Sequence, residues 1–145
     1  MSNTDVLKCM AEADVIAEQF IGGAYGYTAL EAWAMGKPVL TYVRDSSATP
    51  DMERFPGINT NPDDLYETLK ALVEGRYDLV DVGRRSRRYV ERHYSIEAIA
   101  LSLGAMYLET GTPSSRWRTR LQTRMATIAG ARDLRLALPL PGEPP

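Results

Sequence analysis

A run of three glycines, Gly22, Gly23 and Gly26, lies just ahead of the carboxylate Glu31 in the stretch Gly22-Gly23-Ala24-Tyr25-Gly26-Tyr27-Thr28-Ala29-Leu30-Glu31. Glycine has no Cβ, so such a turn can adopt positive φ and bring its backbone close to a ligand. Unbonded N–H groups at the opening of a helix, helped by the positive end of its dipole, suit an anion. A carboxylate accepts two hydrogen bonds at once, which suits a vicinal diol. Gly23, Ala24, Tyr25, Gly26, Tyr27, Thr28 and Glu31 are therefore the candidate binding residues, for a ligand carrying both an anion and hydroxyls. The same residues have a structural reading: Thr28-Ala29-Leu30-Glu31 has capping-box spacing, in which Glu31 accepts from the Thr28 amide, worth on the order of 1 kcal/mol. Spacing leaves both open.

The elements around this run put it in a definite place. Residues 13–19, with Val15, Ile16 and Ala17, read as a short strand, and after the glycines Ala29, Leu30, Trp33 and Ala34 recur at helical spacing until Gly36 stops them. In an open α/β sheet, strand–loop–helix order places the loop at the carboxyl ends of the strands, facing a crevice. Pro38-Val39-Leu40-Thr41-Tyr42-Val43 is apolar and β-branched without alternation, the pattern of a buried parallel strand. It leads to Arg44 and Asp45 at the same crevice, then to residues 44–57, an irregular Asp-, Ser- and Pro-containing loop over the site. Ile58 marks a fragment of a third strand.

Helical segments complete the frame. Thr4 is the expected N-cap of a first helix reaching Ala11, with Val6, Leu7 and Met10 on one face. Asn61-Pro62-Asp63-Asp64 starts another, whose inner face is Leu65, Leu69, Leu72 and Val73 and whose end is Gly75. A helix over 78–93 is anchored by Leu79, Val82, Tyr89 and Val90. Its Arg84, Arg85, Arg87, Arg88 and Arg92 read as a solvated face rather than a nucleic-acid patch, because residues 1–110 hold 11 Lys or Arg against 17 Asp or Glu. His93 reads as a partner of that helix's last carbonyls. Ser95 caps a further helix carrying Ile96, Ile99, Leu103 and Met106.

The segment from Gly23 to Leu40 resembles the donor-binding signature of retaining glycosyltransferases with the GT-B fold, family 4 in particular. The family pattern is a Glu, seven residues, a second Glu, then Ala-x-Ala-x-Gly-x-Pro-Val, and Glu31-Ala32-Trp33-Ala34-Met35-Gly36-Lys37-Pro38-Val39 reproduces its tail. The first acidic position is here Gly23. The resemblance covers about residues 5–109 and extends to Tyr89-Val90-Glu91-Arg92-His93-Tyr94-Ser95. It implies a truncated Rossmann-like C-terminal domain over 1–110, a short parallel sheet flanked by helices, with a basic tail over 111–145 made of one helix and a Pro-rich disordered end. It further implies a nucleotide-diphosphate sugar as donor substrate, with the turn amides on sugar and diphosphate and Glu31 on the ribose, and hexosyl transfer with retention once an acceptor domain is supplied. No catalytic residue, metal or cofactor is assigned. The alternative is a non-catalytic binding or scaffold module in which Gly23 marks lost chemistry; an epimerase of the same architecture would need acidic and histidine catalysts that the chain does not display.

The family's early strands and acceptor domain lack counterparts, so the chain reads as a fragment or as a subunit completed by another chain. Arg44 is the best-placed cation for a diphosphate, whereas Lys37 lies past the helix and neutralises its negative end. The 145 residues, 44% hydrophobic and 25% charged with net charge −2, are ordinary for a soluble globular protein. No apolar stretch approaches the roughly 20 residues of a membrane span. A single cysteine, Cys9, excludes an internal disulfide and is expected to be a small buried group on the first helix. These features point to a cytoplasmic protein, peripheral to the inner face of a membrane at most, that binds no nucleic acid. The basic run from Trp117 to Arg132 is expected to form a helix, and 138–145 to stay unfolded.

Overall fold

A computed structural model describes residues 2–44, 52–109 and Thr123. The chain divides into two units, Met1–Tyr94 and Ser95–Pro145. The first contains α1 (Asn3–Glu12), β1 (Ile16–Ala17), α2 (Tyr27–Ala34), β2 (Val39–Thr41), a 3-10 turn (Met52–Arg54), β3 (Ile58–Asn59), α3 (Leu65–Val73) and α4 (Leu79–His93). The described part of the second is α5 (Ile96–Glu109), whose first turn is capped by Ser95, its Oγ accepting the Ala98 amide at 3.2 Å. The expected tail helix and the Pro-rich end lie outside the described residues, apart from Thr123. Among the described residues no helix is long and apolar enough to cross a membrane.

The three strands form an open parallel sheet in the order β1-β2-β3, with Ile16 opposite Val39 and Leu40 opposite Ile58. The fold is thus mixed α/β with a short parallel sheet flanked by helices, as the apolar run at 38–43 predicted. Every residue of β2 is buried, and alternation along it feeds two cores. Val39 joins Ala29, Ala32, Trp33 and Tyr89 on one side; Leu40 joins Ile58 and Val82 on the other. Regular pairing is shorter than expected because side chains and loops take over at the strand ends. Asn59 extends the β2–β3 ladder with its carboxamide, which accepts from the Val43 amide at 2.9 Å and donates to the Val43 carbonyl at 3.1 Å.

Several local expectations are corrected. Ser2, not Thr4, caps α1, in a reciprocal box with Asp5. Hydrogen bonding to Ser2 holds the exposed Asp5 carboxyl below its usual range. Cys9 is exposed rather than buried, because Met10 and the half-buried Val6 and Leu7 define the inner face of α1 and leave Cys9 on the outer one. On α3 the inner face is Leu65, Ala71 and Leu72, while Leu69 and Val73 are exposed. Asn61 caps a turn that precedes the helix, accepting from the Asp63 amide at 2.8 Å and the Asp64 amide at 3.0 Å.

Helix α4 behaves as predicted. Val82 and Tyr89 face inward, and Arg85 pairs with Asp81 and Arg87 with Glu91 on the exposed side at 2.9 and 2.7 Å. Arg87 also donates to the carbonyl of Ala34, so one guanidinium joins α4 to the negative end of α2. Lys37 neutralises a different helix from the one expected: its Nζ donates to Ala13 O, the C-cap of α1, at 2.9 Å.

Candidate functional site

The loop from Glu18 to Gly26 links the carboxyl end of β1 to the first residue of α2, the placement that strand–loop–helix order predicts. It is built by the two polar residues at its start. The carboxamide of Gln19 accepts from the Ile21 amide at 3.1 Å and the Gly22 amide at 2.6 Å, and donates to the carbonyls of Ala24 and, at 2.9 Å, Tyr42. One side chain thereby folds the turn on itself and ties it to the chain leaving β2. The backbone adds two further links, Tyr42 N to Gln19 O at 2.9 Å and Arg44 N to Gly23 O at 3.0 Å.

Glu18 organises the other end. Its Oε1 accepts from the amide of Gly26, the N-cap residue of α2, at 2.6 Å, and its Oε2 accepts from the Thr41 hydroxyl at 3.0 Å. A carboxylate at the positive end of the helix is favourable, and this one replaces the cap that the sequence suggested. The capping box is not formed: α2 starts at Tyr27 with no side-chain cap bond, and no hydrogen bond from Thr28 to Glu31 is present among the described residues. A Cβ at position 26 would lie 2.7 Å from the Glu18 carboxylate and would push that group out of its present place.

The predicted site residues separate into three groups. Ala24, Tyr25 and Gly26 line an open cleft of about 470 Å³ together with Glu18, Gln19 and Phe20. Tyr27 and Thr28 stand exposed at the first turn of α2, and their amides, like that of Ala24, take no hydrogen bond among the described residues. Glu31 lies on α2 outside the cleft lining, half-buried, its carboxylate without a hydrogen bond or ion pair among the described residues. Gly23 is buried at φ +77°, and a Cβ on it would sit 3.0 Å from Cβ of Arg44. An acidic side chain at this position would strain the left-handed backbone and crowd Arg44.

Tyr25 turns inward rather than outward. Its ring meets Trp33 edge-on at 4.9 Å and stacks on Phe55 at 5.9 Å. Its hydroxyl lies 2.6 Å from that of Tyr94 and 3.3 Å from that of Tyr89. Burial, and then the bonds to Tyr89 and Tyr94, push its phenol well above the usual range. Tyr25 thus anchors the loop on α4, and its side chain serves the core. Sequence reasoning missed Glu18 and Gln19 as loop organisers; their polar side chains at the end of an apolar strand were the available signal.

No metal-binding group of His, Cys, Asp or Glu exists among the described residues. Comparison of the chain with protein-family models, with curated proteins and with solved structures found no match.

Proposed function

We propose that the chain is the donor-binding half of a retaining glycosyltransferase, holding a nucleotide-diphosphate sugar where β1 gives way to α2. The reading is supported by one arrangement above all: a parallel strand, a glycine turn and a helix start, with amides at Ala24, Tyr27 and Thr28 and a carboxylate at Glu31, a turn further on, that take no partner among the described residues. On this reading the Tyr27 and Thr28 amides hold the diphosphate, Glu31 accepts from the ribose hydroxyls, and a hexosyl group is transferred when an acceptor domain or partner chain covers the donor. Arg44, exposed beside Gly23, is the cation this reading assigns to the diphosphate. No resident cofactor is involved.

Calorimetric titration with uridine, guanosine and adenosine diphosphates and their hexose conjugates tests the proposal. A charge-assisted hydrogen bond contributes about 1.5–3 kcal/mol, so Glu31→Ala should weaken binding at least about tenfold. Binding that is undetectable for all of them, or indifferent to Glu31→Ala, overturns it.

A second reading, a binding or scaffold module without turnover, draws on a specific observation. The amides of Ile21, Gly22 and Gly26 are already bonded to Gln19 and Glu18, and Gly23 cannot be replaced by an acid without strain. Nucleotide-sugar binding with no glycosyl transfer or hydrolysis in the presence of candidate acceptor domains would favour it.

A further inference from the structure

We infer that the cleft lined by Glu18, Gln19 and Phe20 receives an uncharged, hydroxyl-rich ring, a hexose, against the Glu18 carboxylate, and turns phosphate away. This deepens the donor-binding reading and rests on it for what the ring is attached to.

Charge comes first. Among the described residues, Glu18 is the only ionisable group lining the cleft apart from the inward-turned Tyr25, and no Lys or Arg lines it. A phosphate entering would face a carboxylate with no compensating cation. The N-cap amide of α2, that of Gly26, lines the cleft and already has a negative partner in Glu18, so a second anion is not drawn to it. The free amides of Tyr27 and Thr28 lie one residue or more beyond, which separates a place for anions from a place for hydroxyls.

Hydrogen-bonding capacity points the same way. A carboxylate offers about four lone-pair positions. Gly26 and Thr41 use one on each oxygen of Glu18, at 2.6 and 3.0 Å, and fix the group between α2 and β2. What remains is one acceptor site per oxygen on an immobilised carboxylate, the disposition that adjacent hydroxyls match without further ordering cost. Beside the Gln19 carboxamide, which is engaged with the loop backbone, the wall offers the apolar side chains of Phe20, half-buried, and Ile21, 79% exposed, which suit the C–H faces of a pyranose. At about 470 Å³ the cleft falls within the usual size of small-ligand sites, roughly 300–1,000 Å³.

Saturation-transfer and amide-shift NMR on the full chain decides the matter, with methyl α-glucopyranoside, methyl α-mannopyranoside and methyl α-galactopyranoside as neutral probes and inorganic pyrophosphate as the anionic one. At least one glycoside should receive saturation from the Ile21 methyls and shift the Phe20 and Ile21 amides, and pyrophosphate, which the donor-binding reading seats on the Tyr27 and Thr28 amides, should leave those of Phe20 and Ile21 unmoved. Glu18→Gln keeps an acceptor for Gly26 and a polar partner for Thr41; it should preserve the loop amide spectrum while weakening glycoside binding about fivefold or more, as expected when a charged acceptor becomes neutral. Glu18→Ala should weaken it further. A shift of the Phe20 and Ile21 amides with pyrophosphate, absence of transfer from all three glycosides, or unchanged glycoside binding in Glu18→Gln overturns the inference. Nucleotide-sugar binding that persists while glycosides miss the cleft would leave the donor-binding reading standing without it; glycoside binding with no affinity for nucleotides would do the reverse.

Discussion

Gly83 packs backbone to backbone on Gly36: a Cβ at position 83 would strike the Gly36 carbonyl oxygen and lie 3.2 Å from its carbonyl carbon. Gly36 closes α2 at φ +72°, and Gly83 lies within α4, so the two glycines set how closely these helices approach. Gly83→Ala must push them apart, and overpacking of this kind costs about 1–3 kcal/mol or more. Gly75 has a similar φ of +71° but open space around it, so Gly75→Ala should cost only the left-handed backbone penalty of about 1–2 kcal/mol. Urea unfolding midpoints of the two variants check this, with Gly83→Ala expected to be the lower.

Tyr25 holds the loop on α4 through its hydroxyl. Tyr25→Phe removes the bonds to Tyr94 and Tyr89 and should cost about 1 kcal/mol, whereas Tyr25→Ala also empties the space between Trp33 and Phe55 and should cost about 3–5 kcal/mol.

The same phenol predicts a pH dependence. Its proton is held more tightly in the folded chain than at the ordinary value of 10.0, because of burial and then its tyrosine partners. The resulting stability is fully present below about pH 10 and declines as the pH rises above the unfolded value toward the folded one. Thermal unfolding followed at successively alkaline pH should show this decline in the wild type and a shallower one in Tyr25→Phe.

Restoring the acidic residue that the resembled pattern has at position 23 should harm the protein. Gly23→Glu places a side chain at φ +77° against Arg44. The backbone penalty alone is about 1–2 kcal/mol. A lower melting temperature with no gain in nucleotide-sugar affinity is the expected result of calorimetry.

Gln19→Leu removes the acceptor for two loop amides and the donor for two carbonyls while keeping side-chain bulk. Exchange of the Ile21 and Gly22 amides with deuterium should accelerate by about fivefold or more, as local opening free energy falls by at least about 1 kcal/mol, while amides of β2 keep their protection.

Much of the frame is legible in the sequence because it follows from local pattern. The unbroken apolar run at 38–43 yields the central strand, and Asp78, Ser95 and Gly75 punctuate helices where capping rules put them. What escapes local pattern is set by tertiary neighbours. Thr28 and Glu31 satisfy the spacing of a capping box, yet Glu18, eight positions before Gly26, reaches the helix first. Small Ala71 is covered while larger Val73 is left exposed, because the neighbouring elements, not periodicity alone, choose the inner arc of α3. Gly23 has the positive φ expected of this turn, but that it is buried against Arg44 is set by the chain leaving β2 and could not be read locally.

The indole of Trp33 is fully enclosed, with Tyr25 edge-on at 4.9 Å and no hydrogen-bond partner for its Nε1 among the described residues. Its fluorescence should therefore be blue-shifted and should receive excitation energy from Tyr25 and Tyr89, the latter 5.9 Å away. In a Trp117→Phe background this gives the glycine turn a built-in optical gauge: any occupant that lifts Tyr25 from its seat changes the colour and yield of that single emitter, with no dye attached.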